Sequence, residues 1–140
     1  MKVLIAVDGS EYTKKALAFL VANDEFLGTD GEVVVLNVQA AMPPRVVTMV
    51  GAAVVDDYHG DEADKVLKPV NAFLEQHPVR FRSSWVVGRA GEEIVKAARA
   101  EKAQMIVMGT HGHGLLGRAL MGSVAQRVVT GSDVPVLLVK

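Results

Sequence analysis

The stretch Met105–Val139, MIVMGTHGHGLLGRALMGSVAQRVVTGSDVPVLLV, decides the fold. The apolar run Met105–Met108 leads into a glycine-rich segment, a segment of helical spacing from Ala119 to Thr130, and a second apolar run, Val134–Val139. Short apolar runs joined by a longer segment of helical period are how two parallel strands and their crossover helix read in sequence. Between strand and helix, five glycines fall in the sixteen residues from Met108 to Ser123, where side chains are excluded from something that comes close to the backbone.

The same alternation runs back to the first residue. Val3–Val7 (VLIAV) is a near-continuous apolar run, as expected of a strand covered on both faces near the middle of a parallel sheet. Ser10 stands where a helix N-cap belongs, and Ala16, Leu17, Leu20 and Val21 form the stripe of a first helix ending before Gly28. Val33–Val38 is a second strand. Ala40–Val55, with Pro43 and Pro44, fits no clean period and is left unassigned. Acidic residues from Asp56 to Asp64 precede Val66, Val70, Phe73 and Leu74, which predicts a second helix with negative charge in its first turns. Pro69 implies that this helix is kinked there or begins after the acids. Val79–Val87 alternates Val79, Phe81, Ser83, Trp85 and Val87 with Arg80, Arg82 and Ser84, the pattern of an edge strand with one wetter face. Ile94, Val95, Ala97 and Ala98 mark a third helix after Gly91. The expected fold is therefore α/β, one Rossmann-like domain over residues 1–140. It is a doubly wound five-stranded parallel sheet of order 3-2-1-4-5 with four helices.

Composition narrows the function. The chain has 140 residues, half of them hydrophobic and 22% charged, with a formal net charge of −1, which suits one well-packed domain and gives no broad attraction to nucleic acid. It has no cysteine, which excludes disulfides and thiolate chemistry. The apolar start MKVLIAVDGS is too short for a signal-peptide core or a membrane span, so it reads as the first strand of a cytoplasmic protein.

The glycine segment leaves a strand and enters a helix, at the carboxyl edge where open α/β sheets bind ligands. Unpaired backbone N–H groups and the positive end of a helix dipole suit phosphate there; the alternative is a flexible glycine turn. Two familiar phosphate patterns fail. Gly112, Gly114 and Gly117 spell G-x-G-x-x-G, but Asp133 lies before the next strand, where it cannot reach a dinucleotide's ribose. Gly112 and Gly117 also open a P-loop spacing, but Arg118 and Ala119 stand in place of its lysine and hydroxyl residue. A third spacing fits throughout: Gly109, two residues, Gly112, nine residues, then Gly122 and Ser123.

That spacing resembles the nucleotide-binding motif of the universal stress protein family, ATP-binding branch. The likeness extends to VLIAVDGSE at the start, GRAGEEIVKAA at Gly88–Ala98, AQMIVMGTHG at Ala103–Gly112 and GSVAQRVVTGSDVPVLLV at Gly122–Val139. The resemblance implies that Ala6, Val7 and Asp8 surround the adenosine moiety, that the backbone of Val38 meets adenine, and that Gly109 passes beneath the ribose. Gly112 would approach the phosphates, and Gly122, Ser123 and Val124 would offer backbone N–H groups and one hydroxyl to them. Met108, ending the fourth strand, and His113 and Gly114, inside the glycine segment, complete the candidate set. The resemblance also implies a homodimer through the last strand, with Val134, Val136, Leu137, Leu138 and Val139 at the interface.

Bland readings stand beside several of these. Asp8 also reads as a turn residue before Gly9 or as a second cap for the first helix. His111 and His113 have no third ligand at metal-site spacing and read as loop histidines, and Arg118 as a phosphate neutraliser or an ordinary surface charge. Asp56, Asp57, His59, Asp61, Glu62 and Asp64 lack an EF-hand register and read as a solvated helix entrance. The expected function is a dimeric ATP-binding module of stress response that acts through an unknown protein partner, with neither nucleic acid nor membrane involved. Any magnesium or manganese would be held by the phosphates, with no ligand from protein side chains. No catalytic residue is assigned, since no nucleophile and base pair is visible. The alternatives are a slow metal-dependent ATPase or phosphotransferase, and a structural dimer with an empty cleft.

Overall fold

The computed structural model describes residues 1–112 and 121–140. Five strands form one parallel sheet of order β3-β2-β1-β4-β5: β1 (Lys2–Ala6), β2 (Glu32–Gln39), β3 (Phe81–Val87), β4 (Met105–Gly109) and β5 (Val136–Val139). Val3, Leu4 and Ile5 at the centre are fully buried, which is why β1 carries no polar alternation. Helices α1 (Glu11–Ala22) and α3 (Ala52–Glu75) cover one face through Leu17, Leu20, Leu67 and Leu74. Helices α4 (Ala90–Ala100) and α5 (Ser123–Gly131) cover the other through Ile94, Val95, Ala125 and Val128.

The helix count differs from the four expected. The described residues hold five α-helices and a 3₁₀ turn at Asp24–Leu27. The additional helix, α2 (Pro44–Val50), lies in the unassigned segment and buries none of its residues, so it has no apolar stripe for a period to reveal. Pro44 suits its first turn, where no intrahelical donor is needed. Gly51, with φ of 90°, divides α2 from α3 in a conformation that L side chains rarely adopt.

Helix α3 starts four residues before the acids and runs through Pro69. An interior proline costs about 3 kcal/mol, whereas full burial of one large aliphatic side chain returns about 1.5–3 kcal/mol. Leu67, Val70 and Leu74, all on the core face, outweigh the proline, which itself stands in solvent. Asp56, Asp57, Asp61 and Asp64 are exposed as expected of a solvated entrance, but His59 turns inward and is 3% exposed.

β3 and β5 are the two edges. The alternation expected along β3 fails at its end: Trp85 and Val87 stay more than a third exposed beside α3, while Val86 packs on the opposite face. Helix α5 begins later than expected, Met121 and Gly122 lying outside it; Ala119 and Leu120 lie outside the described residues.

Candidate functional site

The chain crosses from one face of the sheet to the other between β3 and β4, so connections leave β1 and β4 in opposite directions. Such a switch point opens a crevice at the carboxyl ends of the strands. A cavity of about 330 Å³ lies there. Ala6, Val7, Asp8, Val38, Met108, Gly109, Gly112, Gly122, Ser123 and Val124, predicted from sequence, all line it. His113, Gly114 and Arg118 lie outside the described residues.

One half of the cavity is apolar, walled by Ala6, Leu36, Val38, Ile94 and Met108. The lining also includes the residues at the start of α5. The first bond within α5 runs from the Gln126 amide to the Gly122 carbonyl at 3.0 Å, so the N–H groups of Ser123, Val124 and Ala125 have no intrahelical acceptor. All three residues line the cavity, at the positive end of the helix dipole. Gly122 differs: its amide donates to the Thr110 carbonyl at 2.6 Å, which joins the end of β4 to the start of α5. The Gly122 amide, expected to face a ligand, is held by this bond in the structure, and its carbonyl starts the helix.

The close approaches that demand glycine are made by the protein itself. A Cβ on Gly109 would overlap the Cβ of Tyr12 in α1, and one on Gly112 would lie 2.5 Å from Oδ2 of Asp8. One on Gly122 would lie 3.1 Å from the Thr110 carbonyl oxygen. These bare positions let α1, β4 and α5 converge on the cavity.

Asp8 braces the turn into α1 and lines the cavity. Its Oδ1 accepts from the Ser10 amide at 2.9 Å and from the Thr13 hydroxyl at 2.8 Å, while its carboxylate lies against Gly112. Ser10 caps α1, its Oγ accepting from the Thr13 amide at 3.4 Å. Two buried polar residues missed in the sequence shape the same edge. Asn37 is 2% exposed; its Nδ2 donates to the Val7 carbonyl at 2.9 Å and its Oδ1 accepts from Gln39 at 2.7 Å. Thr13 is 4% exposed and lines the cavity. The available signals were a lone amide in the apolar run VVVLNV and a hydroxyl three residues after an N-cap serine.

Among the described residues lining the cavity there is no lysine or arginine, and the carboxylate is that of Asp8. No group of three potential metal-ligating side chains occurs among the described residues, and no helix there is long and apolar enough to cross a membrane. His111 sits at the rim, its Nδ1 2.9 Å from the Thr110 hydroxyl and its ring 5.0 Å from that of Tyr12.

Comparison with known proteins finds relatives in sequence and in fold. A model of the universal stress protein family matches residues 1–140. Universal stress protein MJ0531 of Methanocaldococcus jannaschii is 33% identical over 141 residues, covering 99% of this chain and 81% of that protein. A universal stress protein of Thermus aquaticus is 34% identical over 150 residues, covering 99% and 97%. The solved structure of the M. jannaschii protein MJ0577 superposes with a TM-score of 0.85 at 31% identity, covering 99% of this chain and 94% of that one. Two more distant structures share the fold: an Arabidopsis thaliana family protein with AMP bound (TM-score 0.71, 16% identity, 100% and 91% covered) and an Archaeoglobus fulgidus protein in complex with dAMP (TM-score 0.67, 20% identity, 100% and 98% covered).

Proposed function

The chain belongs to the universal stress protein family, and on that premise we propose that it binds an adenine nucleotide, ATP foremost, in the carboxyl-edge cleft. The observation that carries this reading is the meeting of an apolar slot with the start of α5 across one cavity. The slot between Ala6, Val38 and Met108 suits a purine, which stacks and buries well but needs few side-chain partners. The amides of Ser123 and Val124, with the Ser123 hydroxyl, suit a phosphate chain. Support also comes from family structures described with AMP and dAMP bound. With no lysine or arginine among the described lining residues, a divalent ion carried by the phosphates would offset much of their charge.

The functional unit is a cytoplasmic homodimer in stress response whose nucleotide state a partner protein reads. Edge strand β5, half-buried along its length with apolar residues on both faces, supports the dimer. Light scattering at micromolar concentration would give a two-subunit mass; a monomer removes the dimer from the proposal. The nucleotide reading is tested by denaturing freshly purified protein and separating the released small molecules, then titrating stripped protein with magnesium ATP. Adenine nucleotide in the extract and saturable rebinding are expected. An empty extract together with no binding at millimolar ATP overturns the reading.

A further inference from the structure

Four hydrogen bonds at the start of α1 tie Asp8, Ser10 and Thr13 to one another. The Thr13 hydroxyl donates to Asp8 Oδ1 at 2.8 Å, while its oxygen accepts from the Asp8 amide at 2.9 Å. Asp8 Oδ1 also accepts from the Ser10 amide at 2.9 Å, and Ser10 Oγ accepts from the Thr13 amide. In an ordinary capping box the side chain at the third helical position reaches back to the N-cap amide. Here Asp8, two residues before the cap, takes that amide, and the third helical residue, Thr13, grips Asp8 instead. The ring fixes the Asp8 carboxylate before any ligand arrives.

We propose that Thr13 is a positioning residue for the cleft: its buried hydroxyl orients the Asp8 carboxylate, and ligand affinity depends on that orientation. The proposal rests on the nucleotide reading above. Three observations carry it. Thr13 is 4% exposed in the first turn of a capped helix, so the hydroxyl has little freedom to move. It holds both the amide and the carboxylate of one residue, which fixes Asp8 at two points. The carboxylate so held lies against Gly112, where a Cβ would come within 2.5 Å of its Oδ2, and both residues line the cavity. A hydroxyl that served the helix alone would have no need to reach outside it, since Ser10 already caps α1.

The test is a double-mutant cycle on the full chain, read by calorimetric titration with magnesium ATP and, separately, by thermal unfolding. Thr13→Val keeps the shape and removes both bonds; loss of a hydrogen bond to a charged group corresponds to about tenfold weaker binding or more. Thr13→Ser restores the hydroxyl and should bind within about twofold of the parent, whatever its melting temperature. In an Asp8→Ala background, Thr13→Val should change affinity by less than about twofold, because the residue through which it acts is gone. Equal affinity of parent and Thr13→Val, or an undiminished loss in the Asp8→Ala background, overturns the proposal. Failure of the parent protein to bind magnesium ATP is a different result and overturns the nucleotide reading instead.

Discussion

At its amino end the sheet is closed by charge, and at its carboxyl end it is kept open by absent side chains. Near the starts of β1, β2 and β3, Arg82 pairs with Glu32 at 2.7 Å and with Glu101, which Lys2 also approaches at 3.8 Å; beside the start of β5, Arg99 holds Asp133 at 2.6 Å. These side chains are part-exposed, and they tie helix ends to strand starts without enclosing anything. At the other end the structure brings together glycines, the first amides of α5 and one carboxylate, around a cavity whose described lining holds no basic side chain. One end contributes a little stability spread over several exchangeable pairs. The other concentrates constraints in single positions, such as the bare Cα of Gly109 against Tyr12.

The sharpest way to break this contrast is Gly109→Val. The new side chain must displace Tyr12, and overpacking of this kind costs about 1–3 kcal/mol. Urea denaturation should show that loss, and equilibrium dialysis should show ATP binding abolished. Wild-type stability with normal binding would mean the convergence of α1 and β4 is not needed. Next in size is Asn37→Leu, which leaves the buried Val7 carbonyl without its amide donor and should destabilise by about 1–3 kcal/mol while weakening ATP by severalfold. At the amino end, Arg82→Ala should cost less than about 1 kcal/mol, because surface ion pairs are screened, and should leave ATP affinity unchanged. A change in affinity there would mean that the two ends are coupled.

The smallest effect lies on the acid side. Hydrogen bonding to Arg82 holds the Glu101 carboxyl below the usual carboxylate range, and Arg99 does the same for Asp133. A carboxyl with a depressed folded-state pKa contributes stability above its unfolded value, about 4, and that contribution is lost as pH falls through the folded value. Thermal unfolding from pH 7 to pH 3 should therefore show an acid limb that is shallower in Glu101→Gln/Asp133→Asn than in the parent. Parallel curves would remove these pairs from the account.

The same contrast explains what the sequence made legible. β1, β2 and β4 stood out because strands covered on both faces need unbroken apolar runs, and the mixed pattern of β3 marked it as an edge. Helix α2 did not stand out because it buries nothing, and α3 was read late because Pro69 and the acids outweighed a core stripe that reaches back to Val55. At the site, glycine spacing marked the positions where backbones converge. Spacing could not show that Gly122 gives its amide to Thr110, or that Asp8 is gripped by Thr13, since both depend on bonds between segments rather than on residue type.

The most direct test of the central claim is a crystal structure grown with magnesium ATP. The purine should lie between Ala6, Val38 and Met108, with phosphate oxygens on the amides of Ser123 and Val124. Density for solvent alone in that cleft, or a nucleotide bound elsewhere with the α5 amides untouched, would contradict it.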